Sequence, residues 1–409
     1  MYGDDRHASS MAQKDRRPGR WRGVLAGMLL AGWALAGCAV GVMGADGREE
    51  VSGALEDIRR LVRIQEQAIQ AGDVARYMQT IVPDDALYWQ EQQHWAADAV
   101  TFVQGKTYRR AVKKWIERRE NEVVAAVEQF WTDGRNSFRV EVPIRFRCTP
   151  DGWKDADLPF WQTQKKGVAA KVTHRRLLPL AEELVERAEH TRQRLSALYG
   201  WQPRQPVTLK LYGDADWFRQ SVKLSLPSWV GGWHEYGESI KLSVESRRFL
   251  LPAHRPIVHA AVIHEMVHQM VSELTNDNAA YWLQEGLAEH VTALLDAIPE
   301  NNALPAVDPE TGWSWLELAA VQLEQLPAEQ AEQYYRQARH VVAYLLDCYG
   351  DGALRAVLAQ LQQYPCIPGS AAEKQDILHR RTVQALETVL EKPFVQLDRE
   401  WQHWARAQA

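Results

Sequence analysis

The segment His264-Glu265-Met266-Val267-His268 constrains the fold more than any other part of the chain. On an α-helix, residues four apart lie on one face, so His264 and His268 point in the same direction. Two imidazoles on one face suit a tetrahedral zinc ion, with Glu265 beside the open coordination position. The apolar segment from Ala260 to Met270 predicts that this helix is buried. A catalytic zinc takes three protein ligands, so one more is required downstream.

The segment Trp282-Leu283-Gln284-Glu285-Gly286 supplies that ligand. The interval between the histidines and this segment leaves room for a loop and the start of a second helix. It resembles the W-L-x-E-G of gluzincin aminopeptidases and of bacterial peptidase MA-like proteins. The resemblance implies that His264, His268 and Glu285 together hold Zn²⁺. The interval to Glu285 is slightly shorter than in the aminopeptidases, which favours the peptidase MA-like branch.

Glu289 lies one helical turn after Glu285 and is predicted to support the site. A ligating histidine normally donates its far N–H to a carboxylate that fixes its orientation, and we expect Glu289 to accept that bond from His264. The alternative is a solvent-facing glutamate. His259 and His290 lie off the ligand face and are interpreted as structural.

The reaction implied by these residues is hydrolysis by a zinc-bound water, with Glu265 as general base. The segment Tyr334-Tyr335-Arg336-Gln337-Ala338 resembles the Y-x-Q-S helix start of peptidase MA-like proteins. The resemblance implies that Tyr335, rather than Tyr334, donates a hydrogen bond to the oxyanion. Ala338 stands where Ser is usual, and a core tyrosine is the alternative.

Upstream, Val230-Gly231-Gly232-Trp233 and the alternating segment from Ile240 to Val244 resemble the edge strand above the gluzincin cleft. Such a strand pairs with an extended peptide through backbone hydrogen bonds. The alternative is a plain turn that leads into an edge strand. The G-x-M-E-N strand of the aminopeptidases is absent from the sequence, which weakens the case for an aminopeptidase. The sequence does not choose between aminopeptidase and endopeptidase.

The N-terminus is typical of an export signal. A basic stretch from Lys14 to Arg22 precedes an apolar run from Gly23 to Ala36, which is short for a membrane span. The segment Leu35-Ala36-Gly37-Cys38 resembles a bacterial lipobox, which implies cleavage before Cys38, a lipid on that cysteine and an extracytoplasmic, membrane-anchored protein. An ordinary secretory signal or an uncleaved anchor is the alternative. Residues 38–50 are expected to form a tether.

Three cysteines remain: Cys148, Cys348 and Cys366. An exported compartment permits disulfides, and Cys348 with Cys366 is one plausible pair. Three free, buried thiols are the alternative. Their spacing is not that of a metal site.

Residues 51–165 predict a small α+β domain. Apolar residues at helical spacing run from Leu55 to Ile69 and end at Gly72-Asp73, and a second helix is expected from Asp73 to Ile81. Strands are expected from Glu122 to Phe130 and from Ser137 to Arg147, joined by a hairpin at Asp133-Gly134. The opening amphipathic helix, the Gly72-Asp73 break and the paired strands resemble the NTF2-like superfamily.

Residues 170–409 predict the gluzincin-type domain, after a polar boundary around 165–171. An α/β part (170–250) contains a helix closed by Gly200 and a strand from Val207 to Tyr212. The zinc-binding helices follow at 251–298. A helical part (299–409) includes a helix from Gln333 to Tyr349 that Gly350 caps. The expected fold class is therefore α+β throughout.

Composition narrows the function classes. The 409 residues, 46% hydrophobic and 25% charged, are typical of a soluble globular protein, and the net charge of −5 gives no reason to expect a nucleic-acid partner. The leading hypothesis is a membrane-anchored zinc metallopeptidase acting on a peptide or protein. The alternative is a ligand-binding or scaffold lipoprotein with a structural or vestigial metal site. Glu265 favours the first, because a structural zinc needs no base.

Overall fold

The computed structural model of this chain describes residues 45–244, 254–295, 304, 307, 312–369 and 371–408. The chain divides into a unit of residues 1–49 and a unit of residues 50–409 that contains both sheets. The predicted signal, the lipobox with Cys38 and most of the tether lie outside the described residues. Within the described ranges, no helix combines the length and the apolar character needed to cross a bilayer.

Three helices open the described chain: α1 (Ala45–Ala71), α2 (Val74–Met78) and α3 (Ala86–Phe102). Helix α1 begins inside the segment expected to be a tether and buries Ile58, Val62 and Ile69 at helical spacing. It ends at Gly72, whose positive φ of 72° favours glycine. The side chain of Asp73 then caps α2. Helix α2 is shorter than expected, and α3 was not predicted.

The first sheet packs against these helices. Its strands are β1 (Thr107–Arg119), β2 (Glu122–Thr132), β3 (Ser137–Thr149) and β4 (Gly152–Asp155), in the order β1-β2-β3-β4 and antiparallel throughout. Asp133 closes the β2–β3 turn by accepting hydrogen bonds from the backbone of Arg135 and Asn136. Val62 of α1 shares a core with Val123 of β2. The helices and paired strands agree with the expected mixed class, although β1 was not predicted.

The second sheet has the order β5-β6-β7-β9-β8. Its strands are β5 (Trp161–Lys165), β6 (Val168–Val172), β7 (Val207–Tyr212), β8 (Gly232–Trp233) and β9 (Ile240–Ser243). Strands β6, β7 and β9 run parallel, and β8 pairs antiparallel with β9 at the edge. Helix α4 (Leu178–Tyr199) connects β6 to β7, and α5 (Ala215–Val222) follows β7. Lys165 pairs with Val168, so the predicted polar boundary falls in the β5–β6 hairpin.

The rest of the chain is helical: α6 (Arg255–Thr275), α7 (Tyr281–Leu295), α8 (Trp315–Ala320), α9 (Ala328–Gln362), α10 (Ala371–Leu390) and α11 (Phe394–Gln408). One core joins these helices to the second sheet through residues such as Leu209, Met266 and Trp282. The predicted end at Gly350 is a kink. Gly350 has φ 79° and ψ 169°, and the chain is helical on both sides of it.

The three described cysteines fit neither alternative from the sequence. Cys148, Cys348 and Cys366 are free thiols, and all three are exposed rather than buried. No pair of them therefore contributes a cross-link to this fold.

Candidate metal centre

Helix α6 presents His264 and His268 on one partly buried face. A proline at residue 256 lies in its first turn, where no intrahelical N–H donor is needed, and Asn276 ends the helix in the left-handed conformation. The Nε2 atoms of His264 and His268 lie 3.0 Å apart. The i, i+4 spacing therefore brings both imidazoles to one point, as the sequence predicted.

Helix α7 brings Glu285 to the same point. Its Oε2 lies 3.3 Å from the Nε2 atoms of both His264 and His268. This oxygen is buried and accepts no well-aligned hydrogen bond within the described part of the chain. Burial alone would raise the pKa of Glu285, but the two histidines lower it to about 2. The carboxylate is therefore ionised and available as a ligand.

The three atoms fit a small tetrahedral cation. A zinc ion about 2.0–2.2 Å from each ligand places tetrahedral ligand atoms about 3.3–3.5 Å apart. The two histidine–Glu285 separations of 3.3 Å meet this requirement, and the 3.0 Å between the two Nε2 atoms is slightly shorter. Two imidazoles, one carboxylate and an open position are also the donor set of catalytic zinc sites.

Residues 187–372 match the family model of the Peptidase MA superfamily. This part of the chain is a peptidase MA-like domain. The match begins within α4 and contains β7, β8, β9 and both helices of the cluster. It assigns a metallopeptidase-like domain to the second half of the chain. No curated protein matches the chain.

Glu265 of the peptidase MA-like domain lies against strand β8. A Cβ atom on Gly232 would come within 3.0 Å of the Glu265 Cδ and would overlap its Oε1, so a side chain at this position would displace the Glu265 carboxylate. Burial raises the pKa of Glu265. The Glu265 carboxylate lies between α6 and strand β8. At this point β8 contributes Gly232, which has no side chain.

Glu289 and Tyr335 both lie beside His264. The Oε1 of Glu289 is 3.1 Å from the Nδ1 of His264, on the side of the ring away from the cluster. The Tyr335 ring stands edge-on to the His264 ring at a centroid distance of 6.1 Å. Burial and the nearby Glu285 raise the pKa of the Tyr335 hydroxyl well above its usual value, so it remains a donor. Tyr334 instead is fully buried and packs on Trp313.

Gly286 permits the close contact that sets the position of Glu285. A Cβ at Gly286 would lie 2.7 Å from the carbonyl carbon of Ala338 and from the Val342 Cγ2, both on α9. Helix α7 therefore packs backbone to backbone on α9. Ala338, which departs from the usual Ser of the family pattern, is fully buried at this contact.

A cleft of about 390 Å³ opens beside the cluster. This volume is within the range of ligand-binding pockets. Its walls include Glu265, Glu289 and Gly232, with the small side chains of Ala260, Ala261 and Ala293. His259, interpreted as structural, lies apart from the cluster, with its Nε2 2.7 Å from the Glu183 carboxylate.

A second group of similar composition was missed. His94 of α3 lies beside Glu235 and Glu238, which belong to the loop between β8 and β9 (residues 234–239, the β8–β9 loop). Its Nδ1 lies 3.1 Å from Glu235 Oε2 and 2.7 Å from Glu238 Oε1. The partners are distant in sequence and α3 itself was not predicted, so no local spacing signal could have found this group.

Proposed function

We propose that the protein is a zinc-dependent metallopeptidase that hydrolyses peptide bonds outside the cytoplasm. The observation that carries the proposal is the convergence of the donor atoms of His264, His268 and Glu285, with the Glu265 carboxylate beside them in an open cleft. The peptidase MA-like domain, in which all four residues lie, supports the same conclusion.

His264, His268 and Glu285 are the proposed zinc ligands. Zinc bound by these residues would supply a Lewis acid for the scissile carbonyl and would make water more acidic. Glu289 accepts a hydrogen bond from the Nδ1 of His264, which fixes the tautomer and leaves the Nε2 lone pair directed at the cluster.

Glu265 and Tyr335 carry the proposed proton and charge chemistry. Glu265 takes a proton from the attacking water and delivers it to the leaving amine. The Tyr335 hydroxyl donates a hydrogen bond to the oxygen that becomes negative as the carbonyl is attacked. Its position edge-on to His264 supports this role, because that oxygen develops charge next to the ligand cluster.

Strand β8 is the proposed docking edge for the substrate. It ends the second sheet and pairs only with β9 among the described strands. An extended peptide can add to such an edge through backbone hydrogen bonds. Gly232 then lets the peptide approach Glu265 without obstruction by a side chain.

Membrane anchoring through a lipid on Cys38 completes the proposal. It rests on the basic stretch, the apolar run and the Leu35-Ala36-Gly37-Cys38 segment. Metabolic labelling with a fatty acid tests it. The full chain should incorporate label and fractionate with membranes, and Cys38→Ala should do neither. Labelled Cys38→Ala would overturn the lipid assignment.

Zinc content per chain tests the metal site. A soluble protein that begins after Cys38 should contain close to one zinc, and Glu285→Ala should contain much less. A Cys348→Ser, Cys366→Ser variant should keep its zinc, which excludes adventitious binding to exposed thiols. Absence of zinc from the wild type after reconstitution would overturn the proposal and favour the scaffold alternative.

Hydrolysis of a peptide library tests the reaction. Removal of a general base typically costs about 10²–10⁴-fold in rate. We therefore expect Glu265→Gln to retain zinc and to lose activity by about that factor. Equal rates for Glu265→Gln and the wild type would contradict the assigned role of Glu265.

A further inference from the structure

Helix α3 belongs to residues 51–165, called here the first half of the chain. One face of this helix contacts the peptidase MA-like domain. Glu91 accepts a hydrogen bond from the buried Lys210 of β7 at 2.6 Å, and the Trp95 indole donates to the Gln220 carbonyl of α5 at 2.7 Å. One turn further, Asp98 accepts from the backbone N–H of Ser225 at 3.1 Å. Positions 91, 95 and 98, with 94 between them, form one helical stripe. This stripe attaches the first half to the second sheet.

The same stripe fixes the β8–β9 loop at both ends. Near its start, Glu235 lies 3.1 Å from His94 Nδ1. Near its end, Glu238 lies 2.7 Å from the same atom. At its end, the backbone N–H of Ser239 donates to Glu91 at 3.3 Å. Both carboxylates therefore converge on one imidazole of α3.

This loop continues directly into the strand beside Glu265. Strand β8 ends at Trp233, one residue before the loop begins, and its Gly232 touches the Glu265 carboxylate. Few hydrogen bonds join β8 to β9. One of them runs from the Ser243 N–H to the Gly231 carbonyl, at 2.8 Å. A two-residue strand has little intrinsic stability, so its position depends on what holds the loop.

We propose that His94 is a positioning residue of the peptidase centre: it fixes the β8–β9 loop and, through it, the strand that bounds Glu265 and receives the substrate. The inference rests on the proposed function. It gives the first half a defined role, because a residue of α3 sets the width of the cleft in the other half. His94 itself contacts neither the ligand cluster nor the proposed path of the peptide.

The surroundings of His94 favour an ion pair over a second metal ion. Lys241 of β9 binds the second oxygen of Glu238. Lys223 lies 4.0 Å from Glu235 and nearer, at 3.1 Å, to Glu324. These ammonium groups compensate part of the carboxylate charge and would repel a dication. The far nitrogen of His94 meets the amide of Gln90 at 2.9 Å rather than a carboxylate. Burial alone would lower the pKa of His94, but Glu235 and Glu238 raise it to about 10.

The test compares His94→Ala and His94→Asn in the whole soluble protein, with His190→Ala as control. His190 is an exposed histidine on α4. The Asn side chain can donate from near the place of Nδ1, whereas Ala cannot. Small displacements of catalytic groups cost up to about 10²-fold. We expect kcat/KM to fall about 10–100-fold in His94→Ala, to recover largely in His94→Asn and to stay unchanged in the control, with zinc near one per chain throughout.

Hydrogen exchange separates this inference from the proposed function, because it needs no activity. Exchange at the backbone amides of β8, the β8–β9 loop and Ser243 should accelerate in His94→Ala and fall back toward the wild-type rate in His94→Asn. Unchanged exchange there, or a loss of thermal stability with normal kcat/KM, would overturn the positioning role. A second zinc per chain that disappears in His94→Ala would show a metal site instead. Absence of hydrolysis in the wild type, with the local change in exchange intact, would contradict only the peptidase proposal.

Discussion

Two histidine–glutamate groups in this protein have similar interatomic distances and different surroundings: one has two histidines and one glutamate, the other one histidine and two glutamates. In the first, His264, His268 and Glu285 bring three ligand atoms within 3.3 Å of one another. In the second, His94 lies 2.7 and 3.1 Å from two carboxylates. Interatomic distance alone does not distinguish them.

The difference lies in the neighbouring charges. Glu285 has a buried oxygen that accepts no well-aligned hydrogen bond from the described residues, and the cleft opens beside the cluster. Around His94, the ammonium groups of Lys241 and Lys223 compensate the carboxylates. A cation would complete the first group, whereas ammonium groups already contact the carboxylates of the second. Similar ligand types can therefore form a metal site or an ion-pair clamp, depending on the residues behind them.

Removal of the metal should have the largest effect and should act on the first group alone. A ligand that binds only the folded state at 100–1,000 times its Kd stabilises it by about 3–4 kcal/mol. Thermal unfolding with and without EDTA measures this. The midpoint should fall for the wild type and equally for His94→Asn, and should not move for His268→Ala. A wild-type midpoint that EDTA does not change would contradict the assignment of the first group, rather than the second, as the metal site.

Gly286→Ala tests whether the first group depends on close helix packing. The new methyl would meet backbone atoms of Ala338, which cannot rotate away, so we expect a loss of about 3 kcal/mol in the free energy of unfolding, with lower zinc occupancy. Gly352→Ala is the control. That helical glycine has open space around it, and its substitution should stabilise by about 0.5–1 kcal/mol. Urea unfolding of both variants gives the comparison. Equal stability would show that α7 and α9 can separate without cost.

Gly232→Ala tests the boundary between the edge strand and the first group. Here the clash is with a side chain, the Glu265 carboxylate, which can move aside. We expect zinc content and stability to be kept and kcat/KM to fall about 10–100-fold, because the base is displaced. Gly231→Ala, at a glycine with nothing nearby, should keep full activity. Full activity in Gly232→Ala as well would show that β8 does not bound the proposed cleft.

The sequence predicted the first group because its information is local. His264 and His268 are one turn apart, and Glu285 was found through the Trp282-Leu283-Gln284-Glu285-Gly286 resemblance. The second group joins α3 to a distant loop. Helix α3 gave no amphipathic signal because its buried residues include Glu91 and Gln92. Glu91 pairs with Lys210 of the other half, and Gln92 accepts a hydrogen bond from the Tyr77 hydroxyl of α2. Strand β1 was missed for a related reason, since two register shifts interrupt its alternation.

Glu289→Gln tests whether a carboxylate at the far nitrogen of His264 strengthens metal binding by that histidine. The far nitrogen of His264 faces a carboxylate, whereas that of His94 faces the Gln90 amide. Loss of such a carboxylate typically weakens metal binding by about 10–100-fold. Zinc titration with a competing chelator should show that loss in Glu289→Gln. Glu183→Gln, which alters the separate His259 pair, should bind zinc like the wild type. Equal affinities would return Glu289 to the role of a solvent-facing residue.

The smallest expected effect is a pH dependence of stability from the second group. His94 faces Glu235 and Glu238, with Lys241 and Asp277 nearby, and its pKa rises from 6.5 to about 10. A histidine with a raised folded-state pKa stabilises the protein fully below the unfolded value, and that contribution is lost as pH rises through the folded value. The stability difference between the wild type and His94→Asn should therefore be greatest near pH 6 and should shrink toward pH 10. Urea unfolding of both proteins at pH 6, 8 and 10 measures it, and a difference that grows with pH would contradict the charged clamp.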